Sequence, residues 1–453
     1  MNTQTQLREH AFSIWQTAVD AVRPESLINA TLEDSNWPIR NTLESAKRIL
    51  VIGGGKAGVA MAKAVEHELT ALLDRVEGIV NVPGSPEGFP KMEKIQLHVA
   101  RPAGTNQPTT EGVEGTQRIL ELAASAGPED VGLCLLSGGG SALLPAPIEG
   151  ITLEDKQTVT KLLHRCGATI NEMNCVRKHL SAIKGGRLAQ RFAGRKLFSL
   201  IISDVIGDPL DVIASGPTAP DPTTFSDAKG VLLKFHLWDE IPEAVRTLLT
   251  RGIAGEIPET TKELPENVSN HIIGNNDRAL AFAQAKAEEL GYRVLNLGSY
   301  IEGETREAAL TFAGIIRSIQ RERLPLGPPC CVLSGGETTV TLNPEHGLGG
   351  RNQEFVLAML NKLRNDDLRN VTLLSGGTDG EDGPCDAAGA MGDGQTKTRA
   401  NQPNISLTEY LDQHDAYHFF EKTGDLIQTG LTQTNVMDVR VILIGESSTG
   451  SPS

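Results

Sequence analysis

The chain has 453 residues, 39% of them hydrophobic and 22% charged, which is more than one core normally organises and implies two soluble domains. Aromatic residues make up only 4%, and the net charge is −15 with no basic tract. This argues against nucleic acid or an anionic membrane as partner, while a few local cations can still govern one cleft.

At the N-terminus, MNTQTQLREHAFSIWQTAVDAV carries charges inside its first helix and is not a signal peptide. No uninterrupted apolar segment approaches membrane-spanning length. Six scattered cysteines without a CxxC spacing point to reduced thiols of a cytoplasmic protein rather than disulfides or a zinc site.

RILVIGGG (48–55) then reads as a buried strand entering a turn, and AGVAMAKAVEHELTALL continues it as an amphipathic helix. Gly53, Gly55 and Gly58 satisfy GxGxxG in the required strand-to-helix context. The next strand, GIVNVPGS, lacks the acid that would hold a ribose, and Lys56 sits among the glycines. A lysine at a helix N-terminus suits phosphate oxygens, so Gly53, Gly54, Gly55 and Lys56 are read as a phosphate-binding loop of kinase type.

GLCLLSGGGSALL (132–144) repeats the switch from apolar strand to small residues. Ser137, Gly138, Gly139, Gly140 and Ser141 are too short a run for a Walker A loop, yet small residues there can present successive N–H donors to an anion. The same Ser-Gly-Gly step recurs at 334–336 and 375–377, and all three are expected at strand carboxyl ends of a parallel sheet covered on both faces.

NCVRKHLSAIKGGRLAQR (174–191) is helical, with Arg177, Lys178, Lys184 and Arg187. A solvated basic face is the plain reading, above all for Lys178, whereas Lys184 is taken as a substrate contact. SLIISDVIGDPLDVIASGPT places Asp204 and Asp208 after a strand, where one or two carboxylates suit Mg²⁺. Asp208 precedes proline and also fits a turn, so Asp204 is the better ligand.

Proline-rich stretches at 250–271 and 321–329 suggest domains over 1–250 and 326–453, with 251–325 as a connecting segment. The C-terminal part supplies SGGET, GLGGRNQEF and SGGTDGEDGPCDAAGA. Ser334, Gly335, Glu337, Asn352 and Asp379 are candidate substrate contacts, and Arg351 is placed to bind a carboxylate or a phosphoryl group in flight. The acids from Asp379 onward fail the EF-hand pattern because its twelfth position is Ala390. The ten histidines form no HxxxH or HExxH pair.

VIGGGKAG, LLSGGGSALL, RKHLSAIKGGRLA, SDVIGDPLDVIASGPT, SGGETTVT, GLGGRNQE, SGGTDGEDGPCDAAGA and GDLIQTGLTQTNVMD occur in one order over residues 10–446. Together they resemble the type-2 glycerate kinases, whose C-terminal part is the MOFRL domain. The resemblance implies an α/β fold of two domains, a larger Rossmann-like three-layer domain and a smaller C-terminal one, with the active site in the cleft between them. It implies transfer of the γ-phosphoryl group of ATP to D-glycerate, giving 2-phosphoglycerate, with a divalent cation such as Mg²⁺. The family's catalytic lysine and arginine fall on Lys56 and Arg351. Leu431 stands where the family commonly has proline. Some relatives carry the name hydroxypyruvate reductase, so an NAD(P)H-dependent reductase is the alternative, and a non-catalytic sugar-acid sensor a third class. A monomer or homodimer acting on small molecules alone is expected.

Overall fold

The computed structural model describes residues 3–102, 107–401 and 406–446. The chain forms two compact units, Pro24–Ile273 and a discontinuous unit of Met1–Arg23 with Gly274–Ser453. This division differs from the expected boundaries near 250 and 325. The connecting segment 251–325 is shared between the units, and the N-terminal helix belongs with the C-terminal unit.

Within Pro24–Ile273 the strands are β1 (Ile49–Gly54), β2 (Val76–Pro83), β3 (Ile95–Arg101), β4 (Val131–Leu136), β5 (Lys196–Ile202) and β6 (Val268–Gly274). They form one sheet in the order β3-β2-β1-β4-β5-β6, the Rossmann-like order. Strands β1 to β5 pair in parallel, with β1 between β2 and β4. Chain order therefore reverses between β1 and β4, so the GGGK and SGGG segments that leave them emerge side by side. Every residue of β1 and β4 is buried, as a parallel strand covered on both faces requires.

Four helices, Leu153–Arg165, Ile170–His179, Phe225–Lys234 and Glu243–Ile253, share a separate core that includes Val159, Leu163, Val176, Phe225, Leu232 and Leu249. Three of them start in a capping box, Thr152 with Asp155, Thr169 with Glu172 and Thr224 with Asp227. Each box satisfies N-terminal amides reciprocally and fixes where the helix begins.

The discontinuous unit holds β7 (Arg293–Asn296), β8 (Cys330–Gly336), β9 (Val371–Gly377), β10 (Gly389–Asp393), β11 (Leu426–Ile427) and β12 (Asp438–Ile444), in the order β11-β10-β9-β12-β8-β7. Only β7 and β8 pair in parallel, and the remaining pairs are antiparallel. The expected all-parallel sheet is thus corrected here to a mixed one. The helix Gln4–Ala21 is part of this unit because it buries Leu7, Ala11, Ile14 and Trp15. Its Trp15 indole N–H donates to Gly376 O at 3.2 Å, and Arg8 pairs with the buried Asp393 and Asp425.

Candidate active site

The loops leaving β1 and β4 clasp one another. The Lys56 amide donates to Gly138 O at 2.8 Å, and the Ala57 amide to Ser137 Oγ at 3.0 Å. The Gly55 amide donates to Asn81 O at 3.2 Å. Gly53 and Gly54 lie inside β1, and Ser137 is buried with its hydroxyl engaged. The expected cradle of amides at 53–55 is therefore corrected to a structural clasp, consumed in holding the turn rather than open to a ligand.

Lys56 itself is exposed, and its stem crosses the second turn. A Cβ built on Gly139 would lie 3.2 Å from Lys56 Cγ and 3.4 Å from an Arg101 Nη. Gly139 has φ +72°, a left-handed conformation that favours glycine. A Cβ on Gly138 would meet Asp204 Oδ2 at 2.0 Å. Lys56, Arg101 and Asp204 are thus gathered around Gly138 and Gly139 at the switch point of the sheet. Sequence reading passed over Arg101, and its only signal was a cation closing the strand IQLHVAR. Burial pushes the Arg101 guanidinium below its ordinary pKa.

Among the described residues no three His, Cys, Asp or Glu side chains form a metal cluster. Mg²⁺ needs only one or two protein carboxylates beside phosphate oxygens and water, and Asp204 next to the turn fits that requirement. Asp208 has φ +53° and its amide closes a turn onto Val205 O at 3.1 Å, which matches the turn-forming reading.

Gly140 and Ser141 begin the short helix Gly140–Leu143. Lys184 Nζ donates to Ser141 O at 2.9 Å, to Ser141 Oγ at 3.1 Å and to Ala214 O at 3.3 Å. Arg177 also donates to Ser141 Oγ, which sits 2.8 Å from Ser215 Oγ. Lys184 therefore joins the 137–141 turn, while Lys178 departs from expectation. It is 2% exposed and paired with Asp211 at 2.9 Å and Asp221 at 3.3 Å, a buried ion network rather than a solvated face.

In the discontinuous unit Arg351 opens the helix Arg351–Lys362. Its Nε and Nη2 reach Asp438 Oδ2 and Oδ1 at 2.8 and 3.0 Å, and Nη1 reaches Glu337 at 3.0 Å. Burial works against the charge, but Asp438, Glu337 and Asp382 outweigh it and hold the guanidinium above its ordinary pKa. Asp438 also accepts from Asn352 Nδ2 at 2.8 Å and pairs with the fully buried Arg440 at 3.2 Å. Asp382 accepts the Asn352 and Gln353 amides at 3.0 and 2.8 Å, yet burial still pushes its carboxyl up to about 6. Sequence reading missed Asp382, Asp438 and Arg440 as a group. For Asp438 and Arg440 the available signal was two opposite charges in the otherwise apolar strand DVRVILI.

Three expected substrate contacts are internal instead. Asn352 is fully buried, its amide bonded to Asp382 and Asp438 and its carbonyl accepting from Ser375 Oγ at 2.6 Å. Ser334 and Gly335 lie within β8, and a Cβ on Gly335 would fall 1.6 Å from Asn276 Oδ1. The Ser-Gly-Gly step at 375–377 likewise lies within β9, with Gly376 clearing space for the Trp15 indole. These two repeats are corrected from anion-binding turns to strand segments that admit a close neighbour. Glu337 is exposed, and Asp379 Oδ1 accepts the Glu381 amide at 3.2 Å.

Fold and site define the class, a two-unit α/β protein whose doubly wound sheet carries a cation-lined glycine turn at its switch point. Residues 10–250 match a family described as a domain of unknown function (DUF4147), and residues 330–438 match the MOFRL family. The glycerate 2-kinase of Pyrococcus horikoshii is 37% identical over 442 residues, covering 97% of each chain. A crystal structure of glycerate kinase from Thermotoga maritima superposes with a TM-score of 0.84 at 36% identity, covering 97% of this chain and 99% of that one. A protein of Agrobacterium vitis, named provisionally as a hydroxypyruvate reductase, is 40% identical over 399 residues, 88% of this chain and 87% of its own. The chain belongs to the glycerate 2-kinase family of enzymes.

Proposed function

We propose that this protein transfers the γ-phosphoryl group of ATP to the 2-hydroxyl of D-glycerate, giving ADP and 2-phosphoglycerate. The single observation that carries the reading, beyond family membership, is the gathering of Lys56, Arg101 and Asp204 around Gly138 and Gly139. Phosphoryl transfer needs positioning and charge stabilisation more than a strong base, and two cations beside a glycine turn provide both. In this reading the hydroxyl oxygen bonds to the γ-phosphorus as the bond to ADP breaks, and the hydroxyl proton is released. Lys56 and Arg101 offset charge on the phosphate oxygens. Asp204 is the residue assigned to hold Mg²⁺, which when bound would neutralise the phosphates. Arg351, kept charged and fixed by Asp438 and Glu337, is assigned to charge developing on the transferring group.

Reductase chemistry is disfavoured by one feature of the same sheet. Strand β2 ends in Asn81-Val82-Pro83, with no carboxylate to accept ribose hydroxyls, and Asn81 is buried with its amide donating to Leu143 O at 2.8 Å. Phosphorus NMR of the purified protein incubated with D-glycerate and MgATP tests the proposal by distinguishing 2- from 3-phosphoglycerate. A parallel incubation uses hydroxypyruvate with NADPH. Nucleotide oxidation there, without ADP formation in the first reaction, overturns the assignment.

A further inference from the structure

Three buried or half-buried cations meet no carboxylate. Arg177, Lys184 and Lys156 have no acidic partner within 4 Å among the described residues, in contrast to Lys178 beside them. Lys184 is 2% exposed and bonds only to hydroxyl and carbonyl oxygens, at Ser141 and Ala214. Lys156 is 7% exposed, and its Nζ is buried without any hydrogen-bond partner in the protein. It comes from the helix Leu153–Arg165, and Arg177 from the helix Ile170–His179, so the capping boxes that start both helices also set this cluster. Like charges this close are costly in a dry interior, and a protein without a use for them would pair or replace them. Lys184 feels both of the others and Lys156 feels Arg177, whereas Arg177 is shifted by burial alone. Burial, reinforced by Arg177 and Arg187, pushes Lys156 down to about 7, and burial with Arg177, Lys156 and Lys178 carries Lys184 well below its ordinary value.

We propose that Arg177 and Lys184, both bonded to Ser141, form together with the buried, unpartnered Lys156 an oxyanion subsite, built to take a carboxylate or phosphate group of a small ligand. An anion supplies the counter-charge that the protein itself withholds, and a guanidinium with two ammonium groups gives the fork and point charges such groups bind. Arg177 and Lys184 bond at Ser141, two residues beyond the Gly139 that Lys56 and Arg101 approach. Under the kinase reading, on which only the choice of ligands rests, two sources of the oxyanion are available. One is the carboxylate of D-glycerate, and the other is a phosphate of the nucleotide.

The test is equilibrium binding rather than turnover. Calorimetric titrations of D-glycerate alone and of ADP alone are run on the intact protein, on Arg177→Gln and on Lys156→Met, with circular dichroism to check folding. Loss of a charge-assisted contact is expected to weaken one of the two ligands by about 10-fold or more in both variants. Weakening of D-glycerate assigns the carboxylate, and weakening of ADP assigns a phosphate. A second readout separates binding from structure. Lys156→Met removes an uncompensated buried charge, so the ligand-free melting temperature should rise while the increment given by saturating inorganic phosphate shrinks. Unchanged affinity for both ligands in both folded variants overturns the subsite, as does a fall in ligand-free melting temperature with an unchanged phosphate increment. Either result leaves the kinase assay untouched. Conversely, absent turnover with anion binding lost in the variants would reject the kinase reading and retain the subsite.

Discussion

Arg351 and Asp438 are joined by two parallel hydrogen bonds, Nε to Oδ2 at 2.8 Å and Nη2 to Oδ1 at 3.0 Å. The carboxylate is fully buried and the guanidinium side chain is 29% exposed, so the pair presents a fixed cation from a rigid base. Asp438→Asn keeps the shape but removes the charge that orients Arg351. Its kcat should fall by about 10-fold or more, with KM for ATP changing less, because positioning of a charge matters most in the transition state. Asp438→Ala also strands Arg440, and denaturation should show a loss on the order of 3–5 kcal/mol. A wild-type kcat in folded Asp438→Asn would show that the fork does not serve catalysis.

Lys56 offers the cleaner catalytic test, because its side chain is exposed and only its backbone takes part in the clasp with Gly138. Lys56→Ala should lower kcat by on the order of 10²-fold, the scale expected when one stabilising group is removed from a transition state. Its melting temperature should stay close to wild type, since exposed substitutions usually change stability by less than about 0.5 kcal/mol. Steady-state kinetics beside a thermal melt check both halves. Equal turnover of variant and wild type would remove Lys56 from the mechanism.

Gly138 reports on Asp204. A methyl group there would overlap Asp204 Oδ2, and the carboxylate must move to admit it. Gly138→Ala should therefore raise the Mg²⁺ concentration for half-maximal activity by about 10-fold, the effect of disturbing the setting of a metal ligand. A titration of Mg²⁺ at saturating ATP reads this directly. An unshifted midpoint would mean that Asp204 does not hold the metal.

The sequence was most legible where a local pattern marks the boundary of an element. The GGGK turn, the SGGG turn and Arg351 at the start of its helix each declare small residues or a cation at the end of a strand or the start of a helix. It was least legible where a glycine serves a distant neighbour. Gly335 and Gly376 look like the glycines of the 137–141 turn, but they make room for Asn276 and Trp15, which no local pattern can reveal. The same holds for the charges on the segment 174–191. Lys178 looks solvated until the chain returns with Asp211 and Asp221, and Lys184 looks similar until it meets Ser141. Separation along the chain also hid where the N-terminal helix packs, since its Arg8 finds Asp393 and Asp425.

Lys156 provides a pH test whose sign follows from its surroundings. Burial, with Arg177 and Arg187 nearby, pushes its pKa down to about 7, from an ordinary 10.5 in the unfolded chain. Below pH 7 the lysine is protonated in both states, and the cost of folding around its charge is fully present. Between 7 and 10.5 the unfolded chain binds a proton that the native protein has released, so this group makes stability rise with pH. Lys156→Met removes that dependence. Without added anions, the variant should therefore melt above wild type at pH 6 to 7, by about 2 °C or more, and the gap should close as pH approaches 10. Lys184 is retained in both proteins but feels the charge of Lys156, so the difference between the curves also carries the relief of that repulsion, which acts in the same direction. Paired thermal melts across this range check the sign, and a gap that stays constant or widens toward pH 10 would show that Lys156 is not a suppressed cation.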